Sequence, residues 1–175
     1  MRKIIKLFIL LVRNSPLFNV RGFRRLKWFL YRTYYRSPQL YVGEKVIISM
    51  AHFNKDAHFL CKGEVNIGAD TYIDYSGGIT MGDKIAISEG VKIFTHNHKI
   101  HDGHKNWKQN PIVFSSLKIE DYVWVGAGSI ILPSVTHIAE GSIIGAGAIL
   151  AKNTEPYGVY TGNPAQKTTN RRILD

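Results

Sequence analysis

A six-residue repeat runs through most of this 175-residue chain. From Cys61 onward, aliphatic residues recur mostly at intervals of six positions, and glycine often follows directly, which suits turns that need a positive φ. A period of six is neither helical nor the alternation of a flat sheet. It therefore predicts short strands wound into a prism, with one inward-pointing aliphatic residue per face. The repeating positions are Ile67, Ile73, Met81, Ile87, Ile93, Ile119, Val125, Ile131, Ile138, Ile144 and Leu150.

The repeat divides the chain into three parts. Three hexapeptides make one coil, so the repeat supplies about four to five coils, each adding roughly 4.8 Å along the axis. Such a stack exposes coil edges at both ends, and these edges must be covered. We expect a basic amphipathic helical arm over residues 1–40, an all-β helix over 41–155 interrupted by a loop at 94–116, and a C-terminal tail over 156–175.

Charge is unevenly distributed between these parts. Residues 1–43 contain ten Lys or Arg and no Asp or Glu, whereas residues 44–175 contain thirteen residues of each sign. A net charge of +10 normally suggests that a protein binds nucleic acid. Here the body is neutral and the excess belongs to one arm, so no nucleic acid partner is expected. The single cysteine, Cys61, excludes a disulfide framework within the chain and a multi-cysteine zinc module.

The basic arm predicts an amphipathic helix. Phe23, Leu26, Leu30 and Tyr34 follow one another at spacings of three and four, among Lys and Arg residues. Aromatic residues beside cations are typical of helices that lie on an anionic membrane, so residues 1–36 are a candidate for peripheral membrane contact. The alternative is a helix that caps the β-helix or packs against a neighbouring subunit. The short apolar run before this helix is expected neither to span a bilayer nor to be cleaved as a signal peptide.

Histidines are concentrated where the six-residue period lapses, between Ile93 and Ile119. Four of the seven histidines lie within nine residues of this segment. A long excursion from a rigid solenoid often carries function. The residues alone leave three interpretations open: one imidazole is a general base, His96 and His101 bind zinc, or the histidines are solvated loop residues.

Four motifs carry a family resemblance. They are VWVG at 123–126, ILPSV at 131–135, IGAGA at 144–148 and GNPA at 162–165. Their order and spacing resemble the hexapeptide-repeat acyltransferases, above all galactoside and maltose acetyltransferases and bacterial polysaccharide O-acetyltransferases. The resemblance covers about residues 61–170 and implies a left-handed parallel β-helix that forms a homotrimer. Left-handedness rests on the resemblance alone, because parallel crossovers are usually right-handed.

The resemblance also implies an acyl donor, acetyl-coenzyme A, lying in a groove between two subunits. The family's contacts to the pantetheine arm carry over to Trp124, Ala127 and Ala146. The backbone N–H of Ala127 is the implied donor to the oxyanion, a kind of contact that can be worth about 3 kcal/mol.

The nucleotide end of the coenzyme shows a departure from the family. Lys152 matches a position that is frequently basic near the nucleotide. The positions where the family places arginines after the GNPA turn are Gln166 and Thr169 here. Lys167 and Arg171 are therefore expected to meet the phosphates instead, because phosphate requires nearby positive charge more than one fixed position.

The resemblance also weights the loop histidines. The family's catalytic histidine lies in a Thr/Gly/Asn-His-x-aliphatic context, which residues 97–100 match, so His98 is the expected general base. Asp74 occupies the position of an acceptor-binding asparagine, and Tyr72 stands two residues before it, so both are expected to bind the acceptor. An aspartate can accept from a sugar hydroxyl or pair with an ammonium, which leaves O- and N-acetylation open. No metal is expected.

Together these expectations describe a cytoplasmic acetyltransferase that acylates a sugar or nucleotide-linked sugar in surface polysaccharide biosynthesis. Transfer is expected to be direct, in a ternary complex, because Cys61 lies on the repeat and is not a convincing nucleophile. Four alternatives stay open. They are an N-acetyltransferase of a nucleotide-linked amino sugar, an antibiotic-modifying acetyltransferase, a zinc-dependent carbonic anhydrase-like protein and a non-catalytic trimeric scaffold.

Overall fold

A computed structural model describes residues 2–174, so Met1 and Asp175, the ends of the predicted arm and tail, lie outside the described residues. Two helices come first, α1 (Arg2–Arg13) and α2 (Arg21–Tyr35), joined through a 3-10 turn. The rest of the described chain is built mainly from short strands. These are β1 (Leu40–Val42), β2 (Ile47–Ser49), β3 (Phe59–Cys61), β4 (Val65–Ile67), β5 (Tyr72–Asp74), β6 (Ile79–Met81), β7 (Ile85–Ile87), β8 (Lys92–Ile93), β9 (His96–His98), β10 (Ile112–Phe114), β11 (Leu117–Ile119), β12 (Trp124–Val125), β13 (Ile130–Ile131), β14 (His137–Ile138), β15 (Ile143–Ile144), β16 (Ile149–Leu150), β17 (Gly158–Gly162) and β18 (Ala165–Asn170).

The strands wind into a three-sided parallel β-helix. Sheet A contains β1, β4, β7, β12, β15 and β17, sheet B contains β2, β5, β8, β13 and β16, and sheet C contains β3, β6, β11 and β14. Within each sheet these strands pair in parallel, one coil above the next. Strand β18 adds to sheet A in antiparallel fashion, so the last coil ends in a β17–β18 hairpin within the predicted tail.

The repeat positions form the interior of the prism. All eleven predicted aliphatic residues are between 0% and 3% exposed. Val42 and Ile48 are buried as well, so the repeat begins one coil before the clear sequence period. Burying each such side chain stabilises the fold by about 1.5–3 kcal/mol, which explains why every inward-pointing position of the repeat is aliphatic.

Helix α2 covers the edge of the first coil. Its aromatic side chains pack against the core and donate hydrogen bonds to main-chain carbonyls at that edge, which no further coil would satisfy. These hydrogen bonds run from Trp28 Nε1 to Val42 O (3.1 Å), from the Tyr31 hydroxyl to Val46 O (3.1 Å) and from the Tyr35 hydroxyl to Ile48 O (2.7 Å).

The described α1 and α2 are too short to cross a bilayer as apolar helices.

The docked face of α2 differs from the stripe that its periodicity indicated. Phe23 and Leu26 are each 47% exposed, whereas Lys27 is 1% exposed. The Lys27 ammonium donates to Asn19 Oδ1 (2.7 Å) and to the Gly43 carbonyl (3.0 Å). A lysine is therefore part of the buried face because the first coil supplies acceptors for it, and burial lowers the pKa of its ammonium.

Candidate active site

The histidine-rich loop leaves the prism at one corner. The chain departs after β8 in sheet B and returns at β11 in sheet C. Between them, β9 and β10 form an antiparallel hairpin that pairs His98 with Ile112 and His96 with Phe114. The hairpin fixes both histidines at the corner between sheets B and C.

A buried carboxylate lies directly beneath this hairpin. Asp74, at the end of β5, has no exposed surface. Its Oδ1 accepts from the Ser76 N–H (3.0 Å), the Ser76 hydroxyl (2.5 Å) and the Ala51 N–H (3.2 Å). Its Oδ2 accepts from the Thr95 N–H (3.1 Å) and from His96 Nδ1 (2.6 Å). Both oxygens are thus held by protein groups from three segments of the chain.

Asp74 is ionised at neutral pH despite its position. Burial alone would raise the pKa of its carboxyl group, but the hydrogen bonds from Ser76, His96 and Thr95 lower it to about 2. The carboxylate therefore keeps a proton on Nδ1 of His96 and fixes the orientation of that ring. The other nitrogen, Nε2, is left as an acceptor.

Three imidazoles meet above the carboxylate. The ring centroid of His52 lies 4.5 Å from that of His96 and 5.7 Å from that of His98. One nitrogen from each ring lies within 4.8 Å of the other two. Trp107 packs edge-on at 6.1 Å from His98. Nδ1 of His98 is buried, and no group within residues 2–174 forms a hydrogen bond with it.

Gly77 allows the corner to close around these residues. Its N–H donates to the Thr95 hydroxyl (2.8 Å), which in turn bonds to Asp74. A Cβ at Gly77 would lie 2.2 Å from the Ser115 carbonyl oxygen and 2.3 Å from that of Thr95, a separation that side chains do not tolerate. A larger residue here would push apart the strands that carry the histidine loop.

A second feature, an apolar groove, lies at a different corner. It has a volume of about 310 Å³ and brings together the three residues expected to meet pantetheine, Trp124, Ala127 and Ala146. Trp124 is half exposed, and its Nε1 donates to the Ser88 hydroxyl (3.1 Å). The groove follows sheet A, where β7, β12 and β15 turn toward sheet B.

The cationic candidates near the nucleotide are differently engaged. Lys152 is exposed. Lys167 pairs with Glu155 at 2.5 Å, and the Arg171 guanidinium donates to the Tyr122 carbonyl at 3.2 Å. Nothing in these contacts tests phosphate binding, so all three roles stay predictions.

The two acceptor candidates occupy one strand. Tyr72 is partly buried on β5, and its ring centroid lies 5.8 Å from that of Phe94. Asp74 could reach an acceptor only if its protein partners moved, because it is buried and both oxygens are bonded. Direct acceptor binding by either residue stays a prediction.

The sequence analysis did not predict the hydrogen bond between Asp74 and His96, nor that His52 belongs to the three-imidazole cluster. The bonded pair is 22 residues apart, and the loop hides the coil spacing that brings them together. His101, paired with His96 in the zinc interpretation, is exposed and lies outside the three-imidazole cluster. An available signal was the coil spacing: Ile73 lies opposite Ile93, so Asp74 and the residues that follow Ile93 come to the same corner.

Known proteins share parts of this sequence. No family model matches the chain. Galactoside O-acetyltransferase of Escherichia coli (strain K12) is 30% identical over 115 residues, which cover 62% of this chain and 55% of that protein. The chain spans about half the length of the curated relatives it matches.

Solved structures agree over almost the whole chain. A maltose O-acetyltransferase from Clostridium difficile 630 superposes with a TM-score of 0.75 at 23% identity, covering 98% of this chain and 87% of that one. This chain has the hexapeptide-repeat acetyltransferase fold. The expected left-handed parallel β-helix with an N-terminal helical arm is confirmed. VCA0836 from Vibrio cholerae O1 biovar eltor, solved with acetyl-coenzyme A, gives a TM-score of 0.72 at 17% identity over 98% of this chain and 87% of that chain.

Proposed function

We propose that this protein transfers an acetyl group from acetyl-coenzyme A to a hydroxyl or amino group of a sugar in surface polysaccharide biosynthesis. The observation that carries the proposal is the meeting of His98 with a carboxylate-held imidazole at the corner of the prism. The names of the relatives support acetyl transfer as the reaction class and galactosides or maltose as the type of acceptor.

His98 is the proposed general base. It takes the proton from the acceptor hydroxyl or amine, and the acceptor atom bonds to the acetyl carbonyl carbon. The Ala127 N–H of a neighbouring subunit stabilises the charge that develops on the carbonyl oxygen. The carbon–sulfur bond then breaks, and the proton held on His98 passes to the sulfur. His96, held by Asp74, has its Nε2 available to orient the acceptor.

The positions of the two features support a homotrimer. The groove lies at the corner between sheets A and B, and the histidines lie at the corner between sheets B and C. About six extended residues separate these corners, roughly 20 Å, which is too far for direct transfer within one subunit. A ring of three copies would bring the groove of one subunit to the histidines of the next.

The arm supports peripheral membrane attachment through anionic lipid. Its α1 exposes one continuous stripe, with Ile4 60%, Leu7 58%, Phe8 50% and Leu11 63% exposed. No acidic residue occurs in the first 43 residues to oppose the cations that accompany this stripe. Attachment would suit an acceptor assembled at the membrane.

The test is release of coenzyme A thiol by the wild type and by His98→Ala and His96→Ala. The acceptors are neutral hexosides, nucleotide-linked amino sugars, glycan oligomers and chloramphenicol. We expect His98→Ala to lose about 10²–10⁴-fold in rate and His96→Ala to lose less. Full activity in His98→Ala would overturn the base assignment, and loss only in His96→Ala would move it to the Asp74-bound imidazole. Failure to bind acetyl-coenzyme A would leave the trimeric scaffold.

The three-imidazole cluster favours one second candidate, a zinc-dependent hydratase, because three histidines are a known zinc ligand set. Zinc measured by mass spectrometry in the purified protein and assays of CO₂ hydration separate the two. For an acetyltransferase, chelation leaves coenzyme A release unchanged. Stoichiometric zinc that is lost in His52→Ala and His96→Ala, together with hydration activity, would favour the hydratase.

A further inference from the structure

A large open cleft separates the arm from the histidine corner. Its volume is about 990 Å³, three times that of the apolar groove. One wall comes from α1 and α2, and the other from the segment between β2 and β3. Its lining includes Lys6, Tyr35, Arg36, Phe53, Lys55 and Phe59.

The cleft is positively charged. Lys6, Arg36 and Lys55 line it, and none of its lining residues is Asp or Glu. Within residues 2–174, none of these three cations forms an ion pair. Asp56 follows Lys55 but is not part of the lining. Three uncompensated cations around one opening favour a ligand that carries phosphate.

Aromatic rings form the remaining walls. Tyr35 and Phe59 pack edge to face with centroids 5.0 Å apart, which makes this wall rigid. Phe53 is 84% exposed at the rim, so its ring is accessible to a ligand. Rigid aromatic walls with a few polar groups are typical of sites for small organic ligands.

The cleft and the histidine corner share one segment of chain. The Ala51 N–H donates to Asp74 Oδ1 (3.2 Å), and the Asn54 side-chain amide donates to the Ser76 carbonyl (2.8 Å). Between these two anchored residues, His52 belongs to the imidazole cluster and the next residue, Phe53, lies at the rim of the cleft. A ligand in the cleft would reach toward the histidines along this segment.

We infer that this cleft binds the phosphate-bearing part of the acceptor, a sugar joined to phosphate or diphosphate, with the sugar directed toward the histidine cluster. The inference rests on the proposed function and narrows its substrate class. A nucleoside diphosphate or a lipid diphosphate could supply this chemistry. Lys6 lies on the helix whose opposite stripe is exposed and apolar, so the lipid-linked form would enter directly from a membrane surface.

The test uses the full-length double variant Arg36→Gln/Lys55→Gln. Its matched control, Lys62→Gln/Lys92→Gln, removes the same two charges from exposed positions outside the cleft. Calorimetry measures binding of inorganic pyrophosphate. Kinetics compare a methyl hexoside, a uridine diphosphate-linked hexosamine and a short-chain prenyl diphosphate-linked hexosamine.

We expect the double variant to lose at least tenfold in pyrophosphate affinity and in kcat/KM for the two diphosphate-linked acceptors. Activity on the methyl hexoside should change by less than twofold, and the control should resemble the wild type. A larger kcat/KM for the prenyl-linked than for the uridine-linked acceptor would identify the lipid source, and the reverse the nucleotide source.

The inference and the proposed function can fail separately. Unchanged pyrophosphate binding, or an equal fall on all three acceptors, would overturn the cleft while acetyl transfer stands. Loss of pyrophosphate binding in the double variant, with no acceptor acetylated by the wild type, would overturn the proposed function and leave the anion site in place.

Discussion

The β-helix and the N-terminal arm place their apolar residues in opposite ways. In the β-helix, every repeat aliphatic points inward and is at most 3% exposed. In the arm, Leu7, Phe8 and Leu11 are half to two-thirds exposed. The body is electrically neutral, whereas the arm carries only positive charge. The difference indicates that the apolar residues of the body serve its own packing, whereas those of the arm are available for contact outside the chain.

Replacing the buried carboxylate tests the precision of the body. We expect Asp74→Asn to lower kcat by about 10–100-fold, because the amide no longer fixes the proton on Nδ1 of His96. The acceptor KM should change less if Asp74 positions His96, and more if it contacts the acceptor directly. Asp70→Asn, an exposed carboxylate one corner earlier, is the matched control. An Asp74→Asn enzyme with wild-type kcat and KM would reduce Asp74 to a structural residue of the turn.

The same carboxylate predicts how stability depends on acid. Its pKa is about 2 in the folded protein, against 3.8 ordinarily, so its contribution is present above pH 3.8 and is lost as the pH falls toward 2. The shift corresponds to about 2 kcal/mol of free energy of unfolding. Denaturant melts at pH 6, 4 and 3 should show the wild type falling toward Asp74→Asn, and a constant difference between them would contradict this origin.

The sequence predicted the interior far better than the site. The period of six placed Ile73, Ile93 and Ile131 in the core because each coil adds one aliphatic per face regardless of the loops. The Asp74–His96 hydrogen bond depends on the corner at which the chain leaves the prism, and no local sequence pattern predicts that corner. The buried face of α2 could not be predicted from its periodicity either, because Lys27 is buried only where the fold brings Asn19 and Gly43 to it.

Removing the exposed stripe tests the outward role of the arm. We expect Leu7→Gln/Phe8→Gln/Leu11→Gln to reduce flotation with vesicles rich in anionic lipid by about tenfold, because both apolar insertion and cation attraction contribute to binding. Coenzyme A release with a soluble acceptor should be unchanged. The control Ile100→Gln/Ile173→Gln/Leu174→Gln removes three exposed apolar residues from outside the arm. Equal flotation of the stripe variant and wild type would show that the stripe serves a subunit contact or none.

The smallest effect concerns the junction where the two regions meet. Lys27→Met removes the ammonium that joins Asn19 and the Gly43 carbonyl, and leaves two part-buried acceptors without this donor at a cost of about 1–3 kcal/mol. We expect several-fold faster protease cleavage within the arm, while kcat changes by less than twofold, because the histidine corner, between sheets B and C, lies opposite sheet A, which contains β1. Lys45→Met, an exposed lysine two residues past Gly43, is the control. If Lys27→Met instead lowers kcat and arm protection together, the arm and the histidine corner are one cooperative unit, and the division between an inward-built body and an outward-facing arm fails.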